Sequence, residues 1–354
     1  MIVTPWFPVP PAGYGGVELV AFTLARELHR RGHHVKVIGQ EGTHGPFESV
    51  ALAPARWSGL LGTPDQSPRE KLFLHRAYQQ VRASSYDVVH DHSGLTGILV
   101  AATAALSTPI VATLHNALTA AESDFLAEVD DRVHLVAISR SHMEQGRGVD
   151  WRGIVYNAID PSGYRPVPPD EKEDYIIQLA RINPAKGQHL AIEVARRLGV
   201  RLVLAGKIDP GAEDYFKNAI EPHLGQMVSW HENVAGEDKA RLLARARAMI
   251  FPIQWAEPFG LAMVEAMVSG TPVLALARGA AVEVVEPGIT GWLGEDLDGL
   301  VRGYVRLAEI DLRRCVEHTA KRFGPEQMGD GYEAVYRAAV SARAVSNAGR
   351  LPTG

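Results

Sequence analysis

The stretch "AMIFPIQWAEPFGLAMVEAMVSGTPVLAL", residues 248–276, contains a strand, a loop, a helix and a second strand in succession. The apolar run at its start predicts a buried strand, and "TPVLAL" at its end predicts another. A helix is expected to begin between them, near Phe259 or Gly260. Buried strands joined by a helix are typical of a parallel sheet. Two acids flank the start of this helix, Glu257 in the loop and Glu265 inside the apolar segment.

The same alternation of short apolar runs and helical segments extends along the whole chain. It pauses only at 160–174, a Pro-rich, charged stretch that we interpret as a linker. We therefore predict an α/β protein with two Rossmann-like, doubly wound parallel-sheet domains that face a cleft, at residues 1–162 and 163–324. A last helix, at about 325–345, is expected to pack back on the N-terminal domain. The predicted strands of that domain are "MIVT" (1–4), "HVKVIG" (34–39), "YDVVH" (86–90), "PIVATL" (109–114) and "VHLVAIS" (133–139).

The overall composition is that of a soluble globular protein. The chain has 354 residues, of which 46% are hydrophobic and 22% charged. Its net charge of −5 lacks the basic surplus of a nucleic-acid-binding protein, so DNA and RNA are not expected as partners. The basic segment 26–36 ends a predicted helix, where cations complement the helix dipole. At most we expect a weak, peripheral contact with an anionic membrane there.

Two further features bear on where the protein works. The single cysteine, Cys315, cannot form an internal disulfide, and no signal-peptide pattern is present, so we expect a cytoplasmic protein. The uncharged stretch 94–114 is as long as a membrane span, but Pro109 divides it into a helix and the buried strand "PIVATL". The first predicted strand begins at residue 1, which leaves the completeness of the N-terminus open. Oligomeric state is not predicted.

The helix after Glu257 predicts an anion site made of backbone. Its first amides, on about Gly260 to Met263, have no partner within the helix, and Gly260 has no side chain to keep a ligand away. Carboxylates beside an anion would repel it unless they bind something else. Since a carboxylate can accept hydrogen bonds from two neighbouring hydroxyls, a ligand with hydroxyls at both ends and a diphosphate between them fits. Such a ligand is a nucleotide diphosphate sugar.

Cations for that diphosphate are expected in "QLARINPAKG", residues 178–187. This segment follows the first predicted strand of the second domain, so Arg181 and Lys186 stand at its carboxyl end. Ligands of doubly wound sheets bind there. A guanidinium and an ammonium at this position would neutralise the diphosphate and favour its departure as a leaving group.

These motifs together resemble those of the retaining nucleotide-sugar glycosyltransferases of the GT-B fold, sequence family 4. The resemblance rests on Glu-x7-Glu with "PFG" and "SGTPV", and on "QLARINPAKG". Further matches, which extend it over nearly the whole chain, are "PPAGYGGVE" (10–18), "VVHDHSG" (88–94), "TLHN" (113–116), "VYNAID" (155–160) and "EVVEPGITGWL" (283–293).

The resemblance implies roles for individual residues. Glu257 would bind hydroxyls of the donor sugar and Glu265 those of the ribose, while Arg181 and Lys186 would contact the phosphates. His115 would face the reacting sugar. The set implied to act in catalysis is His115, Glu257, Arg181 and Lys186. The remaining donor contacts would come from backbone, at Gly15, Gly16, Phe259, Gly260 and Leu261.

Plainer structural interpretations stay open for some of these residues. Gly15 and Gly16 could form an ordinary tight turn, and His115 could be a buried structural imidazole. Asp91 and His92 could lie near the acceptor or hold their loop together. Glu18 is expected to complement the dipole of its helix.

The reaction implied is front-face transfer of a hexosyl-type sugar to an acceptor hydroxyl, with no metal and no cofactor. No His/Cys cluster with metal-ligand spacing is present. The nucleobase is left open, because Glu232 stands where family members often have a glycine; the acceptor and the pathway are also open. "PAGYGGVE" lacks the Gly-x-Gly-x-x-Gly spacing of a dehydrogenase. The alternatives that remain are a nucleotide-sugar epimerase and a non-catalytic nucleotide-sugar binding protein of the same fold.

Overall fold

The chain folds into two compact units. The structure, a computed structural model, describes residues 1–13 and 15–348. Unit 1 comprises Met1–Asn157 together with the C-terminal helix Pro325–Ala348, and unit 2 comprises Ala158–Gly324. The first boundary lies slightly before the predicted one at 162/163. The Pro-rich segment 160–174 therefore belongs to unit 2, where it forms two short 3-10 turns.

Unit 1 is a parallel sheet with helices between its strands. Its strands are β1 (Lys36–Gln40), β2 (Glu48–Ala53), β3 (Val89–Asp91), β4 (Ile110–Thr113), β5 (His134–Ala137) and β6 (Gly153–Ile154). Its helices are α1 (Gly16–Arg30), α2 (Gln66–Arg82), α3 (Leu95–Thr103), α4 (Ala120–Ala127), α5 (Arg140–Gln145) and, at the C-terminus, α13 (Pro325–Ala348). Helix α13 packs against α1, β4 and β6.

The predicted strand "MIVT" is reduced to one residue that joins two parts of the sheet. Ile2 forms single parallel bridges to Ile38 in β1 and to Asp91 in β3. The Ile2 amide donates to the carbonyl of His90 at 2.8 Å. Pro5 follows closely and has no N–H to donate, which limits the pairing. The resulting order is β2–β1–Ile2–β3–β4–β5–β6, with all neighbours parallel.

Unit 2 is a six-stranded parallel sheet. Its strands are β7 (Tyr175–Leu179), β8 (Arg201–Ala205), β9 (Val228–His231), β10 (Ala248–Phe251), β11 (Val273–Leu276) and β12 (Gly291–Gly294). Its helices are α6 (Gln188–Leu198), α7 (Glu213–Ala219), α8 (Gly236–Arg245), α9 (Leu261–Val268), α10 (Ala281–Val284), α11 (Leu297–Arg306) and α12 (Leu312–Arg322). The strand order is β9–β8–β7–β10–β11–β12.

Both units therefore have the doubly wound order of a Rossmann-like fold, in which the chain runs outward on one side of the first strand and then returns to the other side. The prediction of two such α/β domains is confirmed. The core of each unit lies between its sheet and helices. Phe73 and Leu74 of α2 are fully buried in unit 1, and Ile176 and Leu204 are fully buried in unit 2.

The long apolar stretch 94–114 is divided as predicted. It forms α3 and β4, and Ala105 between them has a positive φ of 49°. Among the described residues, no helix is long and apolar enough to cross a membrane.

Candidate active site

The predicted site residues of unit 2 lie on two loops that the sheet topology brings side by side, and at the start of the helix that follows the second loop. Strand β7 has β8 on one side and β10 on the other, so the winding of the chain reverses between β7 and β10. Ligands of such sheets bind at this switch point, beyond the carboxyl ends of the strands. The loop after β7 carries Arg181 and Lys186, and the loop after β10 carries Glu257 and Gly260.

Two buried glutamines fix the loop after β7. Gln178 donates to the carbonyl of Lys186 at 2.7 Å, and Gln188 donates to the carbonyl of Arg181 at 2.9 Å. Both side chains are almost fully buried, at 2% and 0% exposure. Asn183 caps a 3-10 turn by accepting from the Lys186 amide at 3.1 Å. These hydrogen bonds fix the backbone of the loop at Arg181 and Lys186.

Lys186 and Glu257 form the central contact of the site. The Lys186 Nζ lies 2.6 Å from the Glu257 Oε2, and both side chains are about 15% exposed. The ammonium also lies 4.9 Å from the ring centroid of Trp255, at a distance where a cation is attracted to an aromatic face. The backbone of Glu257 is held separately, because its carbonyl accepts from the Ala280 amide at 2.9 Å. A predicted cation and a predicted sugar-binding acid therefore meet directly.

Helix α9 starts at the residue that the sequence indicates. Its N-cap is Gly260, at φ 79° and ψ 58°, a left-handed conformation that favours glycine. A Cβ at Gly260 would also come within 2.6 Å of Met263 and 3.0 Å of the Phe251 ring. The Leu261 and Ala262 amides precede the first hydrogen-bonded turn, as at any helix start. The Met263 amide, which the sequence predicts to be free, instead donates to the Gly260 carbonyl at 2.9 Å. The ring of Phe259 is buried against Phe323, with centroids 5.8 Å apart.

Glu265 is buried in the second turn of α9 and has two side-chain partners. Its Oε1 accepts from the Lys239 Nζ at 2.5 Å and from the Tyr164 hydroxyl at 2.7 Å. Its exposure is 6%, so the charge would be costly without these contacts. Burial and the neighbouring carboxylate raise the pKa of the Tyr164 hydroxyl, which stays a proton donor.

Arg181 is also held by an acid. Its Nη1 lies 2.7 Å from the Asp209 Oδ1, and the second oxygen of Asp209 accepts from Asn183 at 2.5 Å. The Arg181 side chain remains 45% exposed. Lys186 and Glu257 are brought into contact within unit 2. Arg181 lies on the same loop as Lys186, and Glu265 lies in the helix that follows Glu257.

In unit 1 the structure places Gly15 and Gly16 at the start of α1. Gly15 is the N-cap, at φ 152°, and a Cβ there would come within 2.7 Å of Pro11. Gly16 is exposed, and a Cβ there would meet nothing within 4 Å. Gly15 is therefore required by the local backbone, whereas packing does not require Gly16. Glu18 is buried and accepts a hydrogen bond from Thr4, and burial raises its pKa.

His115 follows β4 and lies in a row of histidines. Its Nε2 is 3.0 Å from the Nδ1 of His92, which follows β3. Burial lowers the pKa of His92 well below its usual value and that of His115 to about 3. The next member, His142 near the start of α5, has its pKa lowered to about 4, mainly by burial. These imidazoles are neutral at physiological pH.

Asp91 holds its loop together. It is buried and accepts from the Tyr78 hydroxyl at 2.6 Å and from the Ser93 amide at 2.6 Å. The sequence left Asp91 either near the acceptor or holding its loop together, and these hydrogen bonds support the second role.

Sequence reasoning missed Lys239, Tyr164 and Asp209. Lys239 looks like one more cation on an amphipathic helix, and Tyr164 lies in the segment interpreted as a linker. The buried Glu265 was the available signal, because an acid on an apolar helix needs a partner. Nothing in the sequence says which residue supplies it. Among the residues that the structure describes, no three His, Cys, Asp or Glu side chains are grouped as a metal site requires.

Comparison with known proteins gives the class of this fold and site. The family described as Glycosyltransferase Family 4 matches residues 14–162, and that described as Glycosyl transferases group 1 matches residues 164–303. Together they span most of the chain. The chain belongs to the glycosyltransferases of the family 4 type, with the GT-B fold, and is an enzyme of that class.

Individual relatives agree with this assignment at low identity. The putative glycosyltransferase YtcC of Bacillus subtilis is 25% identical over 60% of this chain, and the matched part spans 61% of YtcC. The D-inositol 3-phosphate glycosyltransferase of Mycolicibacterium paratuberculosis is 26% identical over 92% of this chain and 86% of its own length.

Two solved structures have a similar fold. AviGT4, a glycosyltransferase involved in avilamycin A biosynthesis, superposes with a TM-score of 0.76 at 26% identity, covering 96% of this chain and 97% of AviGT4. HepE of Anabaena, in complex with UDP-glucose, has a TM-score of 0.71 at 20% identity, covering 93% of this chain and 97% of HepE.

We predict that Lys239→Met destabilises the protein by about 3 kcal/mol, because it leaves Glu265 buried with one neutral partner. Arg241→Met on the same helix is the matched control: its partner Asp238 is 71% exposed, so the expected loss is below about 0.5 kcal/mol. Urea unfolding of the three proteins measures both values. Equal stability of the two variants would show that the contact with Glu265 contributes nothing.

We also predict that His142 makes unfolding sensitive to mild acid. Below pH 6.5 the unfolded chain takes up a proton at this imidazole, whereas the folded chain does so only near pH 4. The free energy of unfolding should therefore fall by about 1 kcal/mol more in the wild type than in His142→Asn between pH 6 and pH 5. Asn keeps an acceptor near the position of Nδ1, which receives the Ile138 amide at 3.3 Å.

The exposed His75→Asn controls for removal of an ordinary imidazole. Parallel pH dependences of the wild type and His142→Asn would mean that His142 titrates normally in the folded protein.

Proposed function

We propose that this enzyme is a retaining glycosyltransferase that moves a hexosyl-type sugar from a nucleotide diphosphate sugar to an acceptor hydroxyl. The observation that carries the proposal is the 2.6 Å contact of Lys186 with Glu257, beside the start of α9 and at the switch point of the sheet. A phosphate-binding cation and a hydroxyl-binding acid in contact fit a ligand in which phosphate and sugar are adjacent.

The diphosphate would be bound by cations and by backbone. The amides of Phe259, Gly260 and Leu261 lie at the start of α9, where the helix dipole favours an anion. Lys186 and the half-exposed Arg181 supply positive charge at the end of β7. Their attraction to the diphosphate increases as the sugar leaves, because negative charge then builds up on the leaving oxygen.

The two acids would bind the two hydroxyl-bearing ends of the donor. Glu257, in the loop, would accept from hydroxyls of the sugar, and Glu265, further along α9, from the ribose. Each acid has a lysine partner, Lys186 or Lys239, which offsets its repulsion of the diphosphate. We extend the proposal to Gly15 and Gly16 for the donor phosphate and to His115 for the reacting sugar, as the resemblance implies.

In the proposed reaction the bond between the anomeric carbon and the leaving phosphate oxygen breaks. A bond from the acceptor oxygen to the same carbon forms on the same face, so the configuration is retained. The proton of the acceptor hydroxyl passes to a phosphate oxygen of the departing nucleoside diphosphate. The residues act by positioning and by electrostatic stabilisation of a transition state with oxocarbenium character. No covalent intermediate with the enzyme is needed.

One comparison supports the donor class and another supports a hydroxyl acceptor. HepE was solved with UDP-glucose, and D-inositol 3-phosphate glycosyltransferases act, by their name, on a hydroxyl-bearing acceptor. We further propose that the enzyme uses neither a metal nor another cofactor and that it is cytoplasmic, which is consistent with its single, buried, unpaired cysteine.

We predict that the protein binds one nucleoside diphosphate and its sugar derivative in preference to others. Titration calorimetry with UDP, GDP, ADP and their glucose or mannose derivatives measures this. Arg181→Ala should weaken binding of the diphosphate at least tenfold, because a charge-assisted contact is lost. Glu265→Ala should weaken binding of the nucleoside diphosphate but not of inorganic pyrophosphate.

Matched controls are Arg201→Ala, at the opposite end of the sheet, and Glu309→Ala, an exposed acid. The site assignment is wrong if the wild type binds none of these ligands, or if the site variants bind as tightly as the controls do. Product analysis separates the alternatives: an epimerase converts the donor without an acceptor, a binding protein releases no nucleotide, and a retaining transferase gives a product with the anomeric configuration of the donor.

A further inference from the structure

His92 and His115 form an imidazole pair within unit 1. They follow the neighbouring parallel strands β3 and β4, so their side chains emerge at the same edge of the sheet. The His92 Nδ1 lies 3.0 Å from the His115 Nε2, and the rings are stacked with centroids 5.4 Å apart. At this distance one nitrogen donates a hydrogen and the other accepts it.

Each ring of the pair carries a single hydrogen on nitrogen, because burial keeps both imidazoles neutral. Only two arrangements are then possible. In the first, His92 carries its hydrogen on Nδ1 and donates to His115, whose own hydrogen is on Nδ1. In the second, His115 carries its hydrogen on Nε2 and donates to His92, whose hydrogen is then on Nε2.

The outer nitrogen of His92 distinguishes the two arrangements. His92 is 2% exposed, and its Nε2 has no hydrogen-bond partner among the described residues. The second arrangement would leave a buried N–H without an acceptor. The first arrangement leaves the His92 Nε2 as an acceptor without a partner, and unpaired buried acceptors are more common than unpaired buried donors.

The position of His92 is itself fixed by its neighbours. Its ring packs on that of His90 with centroids 4.0 Å apart. The Nδ1 of His90 lies 2.7 Å from the Tyr336 hydroxyl, and its Nε2 lies 2.8 Å from the Thr113 hydroxyl. His90 is therefore held on both sides, on one of them by helix α13, and it provides a rigid surface for His92.

We propose that His92 is a positioning residue that holds His115 in the Nδ1–H tautomer, so that His115 offers a neutral N–H donor to a hydroxyl oxygen of the substrate. His115 then cannot take the proton of the acceptor hydroxyl at Nδ1. The assignment of a sugar as the substrate rests on the proposed function, whereas the tautomer does not.

The test is nitrogen-15 NMR of the imidazoles in the full chain at pH 7.5, with the signals of His115 assigned by their loss in His115→Gln. In the wild type we expect the hydrogen of His115 on Nδ1. His92→Asn places an amide near the position of Nδ1 and should preserve this tautomer. His92→Phe keeps a ring but has no donor, so the Nε2–H tautomer of His115 should become populated. The exposed His75→Gln should change nothing.

Kinetics with the donor provide the second measurement. We expect His92→Phe to lower kcat about tenfold while the donor KM changes less than twofold, and His92→Asn to restore most of the loss. A wild-type His115 with its hydrogen on Nε2 overturns the inference, even if His92→Phe does not fold. An unchanged tautomer in a folded His92→Phe also overturns it. Neither result bears on the proposed function. The proposed function is wrong if the protein binds no nucleotide sugar.

Discussion

The site depends on a balance of charge around the start of α9. A helix end that binds a diphosphate would lose affinity if unpaired carboxylates stood beside it, yet Glu257 and Glu265 lie on either side of it. Each of them is matched by a lysine, at 2.6 Å and 2.5 Å respectively. In the proposed function, the offset charges leave the acids to accept hydrogen bonds from hydroxyls, while the helix end and Arg181 would act on the phosphates.

The topology explains how residues far apart in sequence meet in this way. Lys186 and Glu257 are brought together because β7 and β10 are adjacent in the sheet, although two strands and three α-helices lie between β7 and β10 along the chain. The segment 160–174, which carries no regular strand or α-helix, contributes Tyr164 to Glu265. It also contributes Lys172, whose Nζ lies 2.8 Å from the Gly270 carbonyl just beyond the end of α9. Burial lowers the pKa of this lysine to about 8. Glu265 within α9 and the Gly270 carbonyl just beyond it thus each have a lysine partner.

Much of this arrangement can be predicted from sequence, because it depends on local patterns. The alternation of strands and helices gives both Rossmann-like units, and Gly260 marks the start of α9 since only glycine suits its left-handed backbone and crowded surroundings. Contacts between elements that are distant in sequence cannot be predicted in this way. Lys239 and Asp209 have ordinary surface-like neighbours in sequence, and their partners become evident only when the helices are packed. The strand at "MIVT" is reduced to Ile2, and the nearby Pro5, which has no N–H to donate, limits its pairing.

The charge balance at the start of α9 can be measured by a double-mutant cycle on Lys186→Met and Glu257→Gln, with binding of a nucleoside diphosphate and of its sugar derivative followed by calorimetry. We expect Lys186→Met to weaken binding of both ligands and Glu257→Gln to weaken only that of the sugar derivative. We also expect the two changes to be coupled by about 1 kcal/mol or more for the sugar derivative. Strictly additive effects, or equal effects of Glu257→Gln on the two ligands, would contradict this charge balance.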